Sequence, residues 1–355
     1  VSRTRESLHY LDVSIFNHIL SGRIPMKRLF TFILTLTMTF SFCINSLAAA
    51  ATTTTATETT AATAARETSA DTSNTQATGA SYGTSKLSGA PDIVAESAVV
   101  MDAGTGTVLY GKEASTKRYP ASITKVMTAL LAVENCNMSD IITYSNTAVN
   151  GIEAGSSTAG INVGAKLTVE DSLYALMLVS ANEAAAAIAE HISGSTTEFA
   201  KLMTKRAKEL GCKNTQFKNP HGLPDEEHYT TAYDMGLILK EAMKHPEFRK
   251  IAGTISYTLK KSDSLTDTLE LWNHAKILRQ NRDYYYEYAK GAKTGFTQVA
   301  LNTLVTYAKK DNVELICVIL KDHGADKSYT DTANLFKWAF NQVKAVTPLT
   351  NFSLK

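Results

Sequence analysis

The chain has 355 residues, 44% hydrophobic and 20% charged, with 4 Cys, 7 Pro and a formal charge of +2. That apolar fraction supports a packed core in one large domain or two small ones, which excludes disorder throughout. So few cysteines exclude a disulfide-framework miniprotein, and the near-neutral balance argues against nucleic-acid binding, which needs a strongly basic face.

The chain is uneven along its length. Met26-Lys27-Arg28 precedes a threonine-diluted apolar stretch over residues 29–44, and Ser46-Leu47-Ala48-Ala49-Ala50 follows. A basic start, a short apolar run and an Ala-x-Ala-like site read as a secretory signal peptide over residues 26–50. The run is shorter than the roughly 20 apolar residues of a membrane-spanning helix. Met26 is therefore read as the true start and residues 1–25 as translated upstream sequence; an uncleaved anchor with a cytoplasmic extension is the weaker alternative. Phe42 before Cys43 spoils a lipoprotein site. Residues 51–89 are Thr, Ala, Ser and Gly with almost no large apolar side chain, so they read as a disordered linker that holds a domain away from a surface. Residues 1–48 carry five basic and two acidic side chains, so without them the net charge moves from +2 to −1 and implies no electrostatic partner. Cys136, Cys212 and Cys317 remain, an odd number with no C-x-x-C pairing; they read as small apolar core residues, not metal ligands.

The folded domain is read over residues 90–345, with 346–355 as a tail. Residues 97–102 and 107–110 are strand-like and flank the turn Ala103-Gly104-Thr105-Gly106, an opening hairpin. A helix is expected from Pro120-Ala121-Ser122 through Leu131, with Ile123, Val126, Met127 and Leu130 at helical spacing. Residues 151–164 form a Gly/Ser-rich loop. Thr168 then caps a helix that has Glu170 and Asp171 in its first turn. Two more helices follow over residues 183–191 and 198–210, the second stopped by Gly211. Residues 301–308 and 313–320 read as a second hairpin around Lys309-Lys310-Asp311-Asn312, and residues 328–343 as a closing amphipathic helix. Strands, many helices, strands and a helix give an α/β (α+β) fold: one antiparallel sheet built from both chain ends, flanked by helices, with an inserted helical region.

Three short motifs occur in a meaningful order. In Ser122-Ile123-Thr124-Lys125, a Ser in the first turn of a helix sits where backbone N–H groups and the dipole favour developing negative charge. Lys125, three residues on, shares its face and can take the hydroxyl proton if burial lowers its pKa. A protein of this length holds about one S-x-x-K by chance, so the pattern alone equally fits a capping Ser and a solvated Lys. Ser180-Ala181-Asn182 lies at a break between helices, and its carboxamide can hold a peptide bond through donor and acceptor together. Lys293-Thr294-Gly295 precedes the second hairpin; Lys and Thr suit a carboxylate, and Gly lets a substrate lie close against an edge strand.

The sequence around these motifs is specific. It includes Tyr119-Pro120-Ala121-Ser122-Ile123-Thr124-Lys125-Val126-Met127-Thr128, Gly155-Ser156-Ser157, Thr168-Val169-Glu170-Asp171 and Leu176-Met177-Leu178-Val179-Ser180-Ala181-Asn182-Glu183-Ala184. Asn219-Pro220-His221-Gly222-Leu223-Pro224, Thr231-Ala232-Tyr233-Asp234 and Gly291-Ala292-Lys293-Thr294-Gly295-Phe296-Thr297 complete it. Together they resemble the D-alanyl-D-alanine carboxypeptidases, low-molecular-mass penicillin-binding proteins that carry S-x-x-K, S-x-N and K-T-G. The resemblance runs over nearly all of residues 97–340 and implies the β-lactamase/transpeptidase-like fold. It implies that Ser122 attacks the D-Ala-D-Ala peptide bond, with Lys125 as general base, Ser180 relaying a proton and Asn182 holding the substrate amide. Lys293 and Thr294 would bind the terminal carboxylate, while the Ser122 and Phe296 N–H groups, beside Gly295, would form the oxyanion hole. The implied partners are a peptidoglycan stem peptide ending in D-Ala-D-Ala and β-lactams as covalent inhibitors. No cofactor, metal or nucleic acid is implied, and the place of action is the envelope or the exterior.

Departures from the family pattern are Ala181 where Gly is usual, the missing second Asn in Asn273-His274-Ala275-Lys276, and the missing Gly in Gln298-Val299-Ala300-Leu301. Larger relatives have a β-rich second domain and an anchor helix; with 60 residues after Gly295 and no anchor in residues 347–352, a catalytic-domain-only member is expected. His221 reads as stabilising its turn sooner than as an acid or base, and Asp234 as capping or bracing a helix. His274 is a second acid/base candidate. Tyr284-Tyr285-Tyr286-Glu287-Tyr288 reads as a loop packed on the domain or a stacking surface for glycan. Glu190-His191 has no second His at i+4 for a metal. A β-lactamase is disfavoured because no E-x-x-L-N segment lies between Asn182 and Lys293, and a non-catalytic cell-wall binder because every motif is intact.

Overall fold

The structure, a computed structural model, describes residues 85–345 except 87, 262–264 and 266. The stretches read as upstream sequence, signal peptide, most of the linker and tail lie outside the described residues. Strand β1 (Ser85–Lys86) falls inside the stretch read as linker, yet it pairs with β3, so the sheet begins before Gly89.

The expected hairpin is β2 (Ser97–Asp102) and β3 (Val108–Lys112). A single 3-10 turn, Ala121–Thr124, then leads into α1 (Lys125–Asn135). After it come β4 (Ile141–Thr143), α2 (Asn146–Asn150), β5 (Lys166–Thr168), α3 (Val169–Leu178), α4 (Asn182–Ser193) and α5 (Thr196–Glu209). Next are α6 (Ala232–Ala242), α7 (Pro246–Gly253), β6 (Ser256–Leu259) and β7 (Leu269–Trp272). The chain then makes β8 (Ala289–Thr297), β9 (Leu301–Lys310) and β10 (Val313–Asp322) before α8 (Ala325–Ala345).

One antiparallel sheet has the order β1-β3-β2-β10-β9-β8. Its centre joins the two ends of the domain, Val99 facing Val318 across β2 and β10. These central strands are buried on both faces, which is why they read as continuous apolar runs and not as alternation. Val99 and Met101 meet the helical insert with Met127, Leu130 and Leu173. Ala98 and Val100 meet Leu335, Phe336, Ala339 and Phe340 on α8. Each of the Val, Leu, Met and Phe side chains contributes about 1.5–3 kcal/mol by leaving water, and each alanine less. The fold is the expected one.

The helix starts follow side-chain caps. Thr168, Ser195 and Thr231 each accept a backbone N–H from the residue three positions on. The helix expected from residue 120 begins as a 3-10 turn, because Ala121 has φ 52 and cannot enter an α-helix. Helices α2 and α7 and strands β4 to β7 are not among the expected elements, and α6 and β8 are expected without bounds, as the helix that Asp234 braces and the edge strand at Lys293-Thr294-Gly295. Cys212 and Cys317 are buried and Cys136 half-buried, all three unpaired, as expected of core thiols.

Candidate active site

Three segments converge: the 3-10 turn with the start of α1, the α3–α4 break, and edge strand β8. Strand β8 meets the turn closely. A Cβ on Gly295 would lie 2.4 Å from Thr303 Oγ1 and 2.8 Å from the Ser122 nitrogen. Glycine is required there by the close approach of the Ser122 backbone. Thr303 Oγ1 also donates to the Pro120 carbonyl at 2.9 Å, tying β9 to the same turn.

The turn is pinned from its other side by the loop over residues 219–224. A Cβ on Gly222, whose φ is +89, would stand 1.9 Å from the Ala121 carbonyl oxygen. Asn219 Oδ1 accepts the Gly222 N–H at 2.7 Å, and Thr128 Oγ1 donates to the Pro220 carbonyl at 2.6 Å. His228, buried and pushed down to about 4 by that burial, bonds Thr124 Oγ1 at 2.9 Å. Ser122 therefore sits half-buried on a pinned turn, and two residues of the motif segments, Ala121 and Ser180, hold left-handed φ values of 52 and 63. Such strain persists where the surroundings over-determine it, as at functional sites.

Lys125 is 0% exposed. Its Nζ lies 3.2 Å from Ser122 Oγ, 2.6 Å from Asn182 Oδ1 and 2.8 Å from the His221 carbonyl. Burial, and then the charge of Lys293, drive its pKa well below the usual lysine value, while Glu183 pulls the other way. Lys293 is 1% exposed; its Nζ donates to Ser180 Oγ at 3.1 Å and to the Thr294 carbonyl at 2.8 Å. Burial lowers it to about 7. The site thus holds two lysine–serine pairs, Lys125 with Ser122 and Lys293 with Ser180, and Asn182 joins the first pair. A near-neutral amine beside a hydroxyl can accept its proton, and a protonated amine beside the second can bind an anion. Thr294 is half-buried on β8, and Phe296, next in register opposite Asn302, exposes 61% of its surface.

Residues weighed from sequence now have places. The His221 ring accepts the Leu223 N–H at 3.3 Å and is held neutral, down to about 3, by burial and by Lys125, so it braces its turn. Asp234 Oδ2 accepts from the Asn214 N–H and Thr215 Oγ1 at 2.8 and 2.7 Å, bracing the start of α6 that Thr231 caps. His274 joins through its backbone: its N–H donates to the Leu178 carbonyl at 3.0 Å. Tyr284, Tyr286 and Tyr288 pack on Tyr329, Phe336 and Phe340, so this loop is built onto α8. Ala181 has φ −55, so an alanine in place of glycine meets no backbone strain. Glu134, Glu241 and His245 come together, but Arg206 fills the cluster, its Nη2 2.6 Å from Glu134 and 3.7 Å from Glu241. Thr303, His228 and Glu183 are site residues without an expected role from the sequence; only Glu183, directly after Asn182, has a local signal.

The family model described as D-alanyl-D-alanine carboxypeptidase matches residues 84–324. The D-alanyl-D-alanine carboxypeptidase DacF of Bacillus subtilis (strain 168) is 37% identical over 255 residues, 70% of this chain and 62% of that protein. The D-alanyl-D-alanine carboxypeptidase of Streptomyces sp. (strain K15) is 32% identical over 262 residues, 70% of this chain and 88% of that protein. The crystal structure of the Streptomyces K15 DD-transpeptidase superposes with a TM-score of 0.65 at 31% identity, covering 71% of this chain and 99% of that one. A D-alanyl-D-alanine carboxypeptidase structure from Mycobacterium tuberculosis H37Rv gives 0.66 at 26% identity, covering 75% and 97%. The chain spans 62% and 63% of the length of the DacF and Haemophilus influenzae DacA relatives. With the motifs, their geometry and these matches agreeing, the chain belongs to the D-alanyl-D-alanine carboxypeptidase family.

Proposed function

We propose that the chain is a serine D-Ala-D-Ala carboxypeptidase that removes the terminal D-alanine from peptidoglycan stem peptides through an acyl-enzyme on Ser122. The observation that carries this is the buried, desolvated Lys125 amine 3.2 Å from Ser122 Oγ. In its neutral form Lys125 takes the Ser122 proton as Oγ attacks the carbonyl carbon of the D-Ala-D-Ala bond. Negative charge develops on the carbonyl oxygen where the Ser122 and Phe296 N–H groups can receive it, since β8 runs against the start of the 3-10 turn. The C–N bond then breaks as Ser180, bonded to Lys293, passes its proton to the leaving amine and receives in its place the proton that Lys125 took, which returns Lys125 to its neutral form. Lys293 in its protonated form and the Thr294 hydroxyl bind the terminal carboxylate, and Asn182 holds the substrate amide. Water then attacks the ester while Lys125 takes its proton, and that proton goes to Ser122 Oγ as the acyl C–O bond breaks. A penicillin traps Ser122 because its ring-opened leaving group stays attached and blocks that water.

A substrate in the cell wall requires the protein to work outside the cytoplasmic membrane, at the envelope or secreted. The K15 likeness raises transfer of the same acyl group to an amine as a second outcome. Release of D-alanine from a diacyl-Lys-D-Ala-D-Ala peptide by the wild type and by Ser122→Ala tests the proposal, and adding an amino-acid acceptor separates hydrolysis from transfer. Equal release by both proteins would refute Ser122 as the nucleophile.

A further inference from the structure

Glu183 takes no part in the reaction derived above, yet it is only 2% exposed. It is the second residue of α4, directly after Asn182, where a helix start favours negative charge. Its Oε1 accepts from the Thr158 hydroxyl at 2.7 Å and from the N–H groups of Ala159, Gly160 and Ile161 at 2.7, 3.1 and 3.4 Å. Its Oε2 is buried without a hydrogen-bond partner among the described residues. The same loop returns to the site, because the Ser157 carbonyl accepts the Asn182 N–H at 2.9 Å. Asn182 in turn holds the Lys125 amine at 2.6 Å.

A buried carboxylate with one oxygen unpaired is costly unless nearby charge offsets it. The groups facing Lys125 come from several elements: Lys293 on β8, Glu183 on α4, and His221, held neutral, on the loop over 219–224. Tyr144, whose pKa burial and Glu183 both raise, stays a neutral phenol bonded to Ser172. The pocket therefore holds two buried lysines and one buried carboxylate.

We propose that Glu183 is the positioning residue of this site: its carboxylate straps residues 158–161 beside Asn182 and supplies the countercharge for Lys125. This rests on the carboxypeptidase reading, because the amine that it biases is the proposed base. The two roles separate by substitution. Glu183→Gln keeps an acceptor oxygen for the loop and removes the charge, so Lys125 gives up its proton more easily. Glu183→Asp keeps the charge and shortens the reach.

The experiment measures the second-order rate of Ser122 acylation by a fluorescent penicillin from pH 5 to 9, with amide exchange read at Ala159, Gly160 and Ile161. For Glu183→Gln the acidic limb moves down by about one pH unit, with loop exchange near wild type. For Glu183→Asp the limb stays in place and loop exchange quickens about tenfold or more. An unmoved limb in Glu183→Gln, or unchanged exchange in Glu183→Asp, overturns the proposal. If Glu183→Gln does not fold, Glu183→Asp carries the test alone, and a shifted limb or unchanged exchange in it is refuting. Wild-type protein that takes no label overturns the carboxypeptidase reading and the proposal together. A labelled wild type with an unmoved Glu183→Gln limb overturns the proposal alone.

Discussion

Lys293 should make this protein less stable than its packing allows, and Lys293→Met should reveal it. Burial lowers the Lys293 pKa from 10.5 to about 7. The folded state therefore binds fewer protons than the unfolded chain between those values, so the stability contributed by this group rises as pH rises through that window. Each unit corresponds to 1.36 kcal/mol, so the buried lysine costs about 5 kcal/mol at pH 6 and about 2 kcal/mol at pH 9. Methionine fills the same space without the charge. It also loses the bonds to Ser180 Oγ and the Thr294 carbonyl, a pH-independent loss of about 1 kcal/mol each. The stability of Lys293→Met relative to wild type should thus fall by about 3 kcal/mol between pH 6 and pH 9. Urea denaturation followed by circular dichroism at pH 6, 7.5 and 9 reads that difference. The same offset at all three pH values would refute a desolvated lysine here. The variant should also lose at least about a hundredfold in kcat/KM, because the substrate carboxylate and Ser180 both lose their cation.

Further outcomes follow from the same geometry. Lys125→Arg should be as inactive as Lys125→Met, each losing about 10²–10⁴ in acylation rate, because a guanidinium never becomes the neutral base; stopped-flow penicillin acylation checks it. Gly222→Ala places a Cβ 1.9 Å from the Ala121 oxygen at a φ of +89, and should cost at least about 2 kcal/mol and displace the Ser122 turn. Its thermal unfolding and its acylation rate should fall together, whereas a melting temperature equal to wild type would contradict the contact.

What was legible in the sequence had a local cause. Ser122 and Lys125 share a helix face at three residues' separation, so their meeting needs no tertiary information. The double-sided apolar runs of β2 and β10 told the sheet centre. Helix α6 carries the same cap pattern as α3, Thr231 accepting from the Asp234 N–H as Thr168 does from Asp171, so the helix that Asp234 braces has a local signal in the sequence. Gly295 and Gly222 were beyond local reasoning, since each is required by a backbone more than 90 residues away in sequence. The pairing of Lys293 with Ser180 and of Glu183 with the loop over 158–161 likewise exists only once β8, α4 and that loop are folded together.

The measurement closest to the central claim is intact-mass and peptide-mapping mass spectrometry after exposure to penicillin. One penicillin should be added per chain, on the peptide containing Ser122, stable over hours and absent from Ser122→Ala. An adduct on any other residue, or none on a folded wild-type protein, would contradict it.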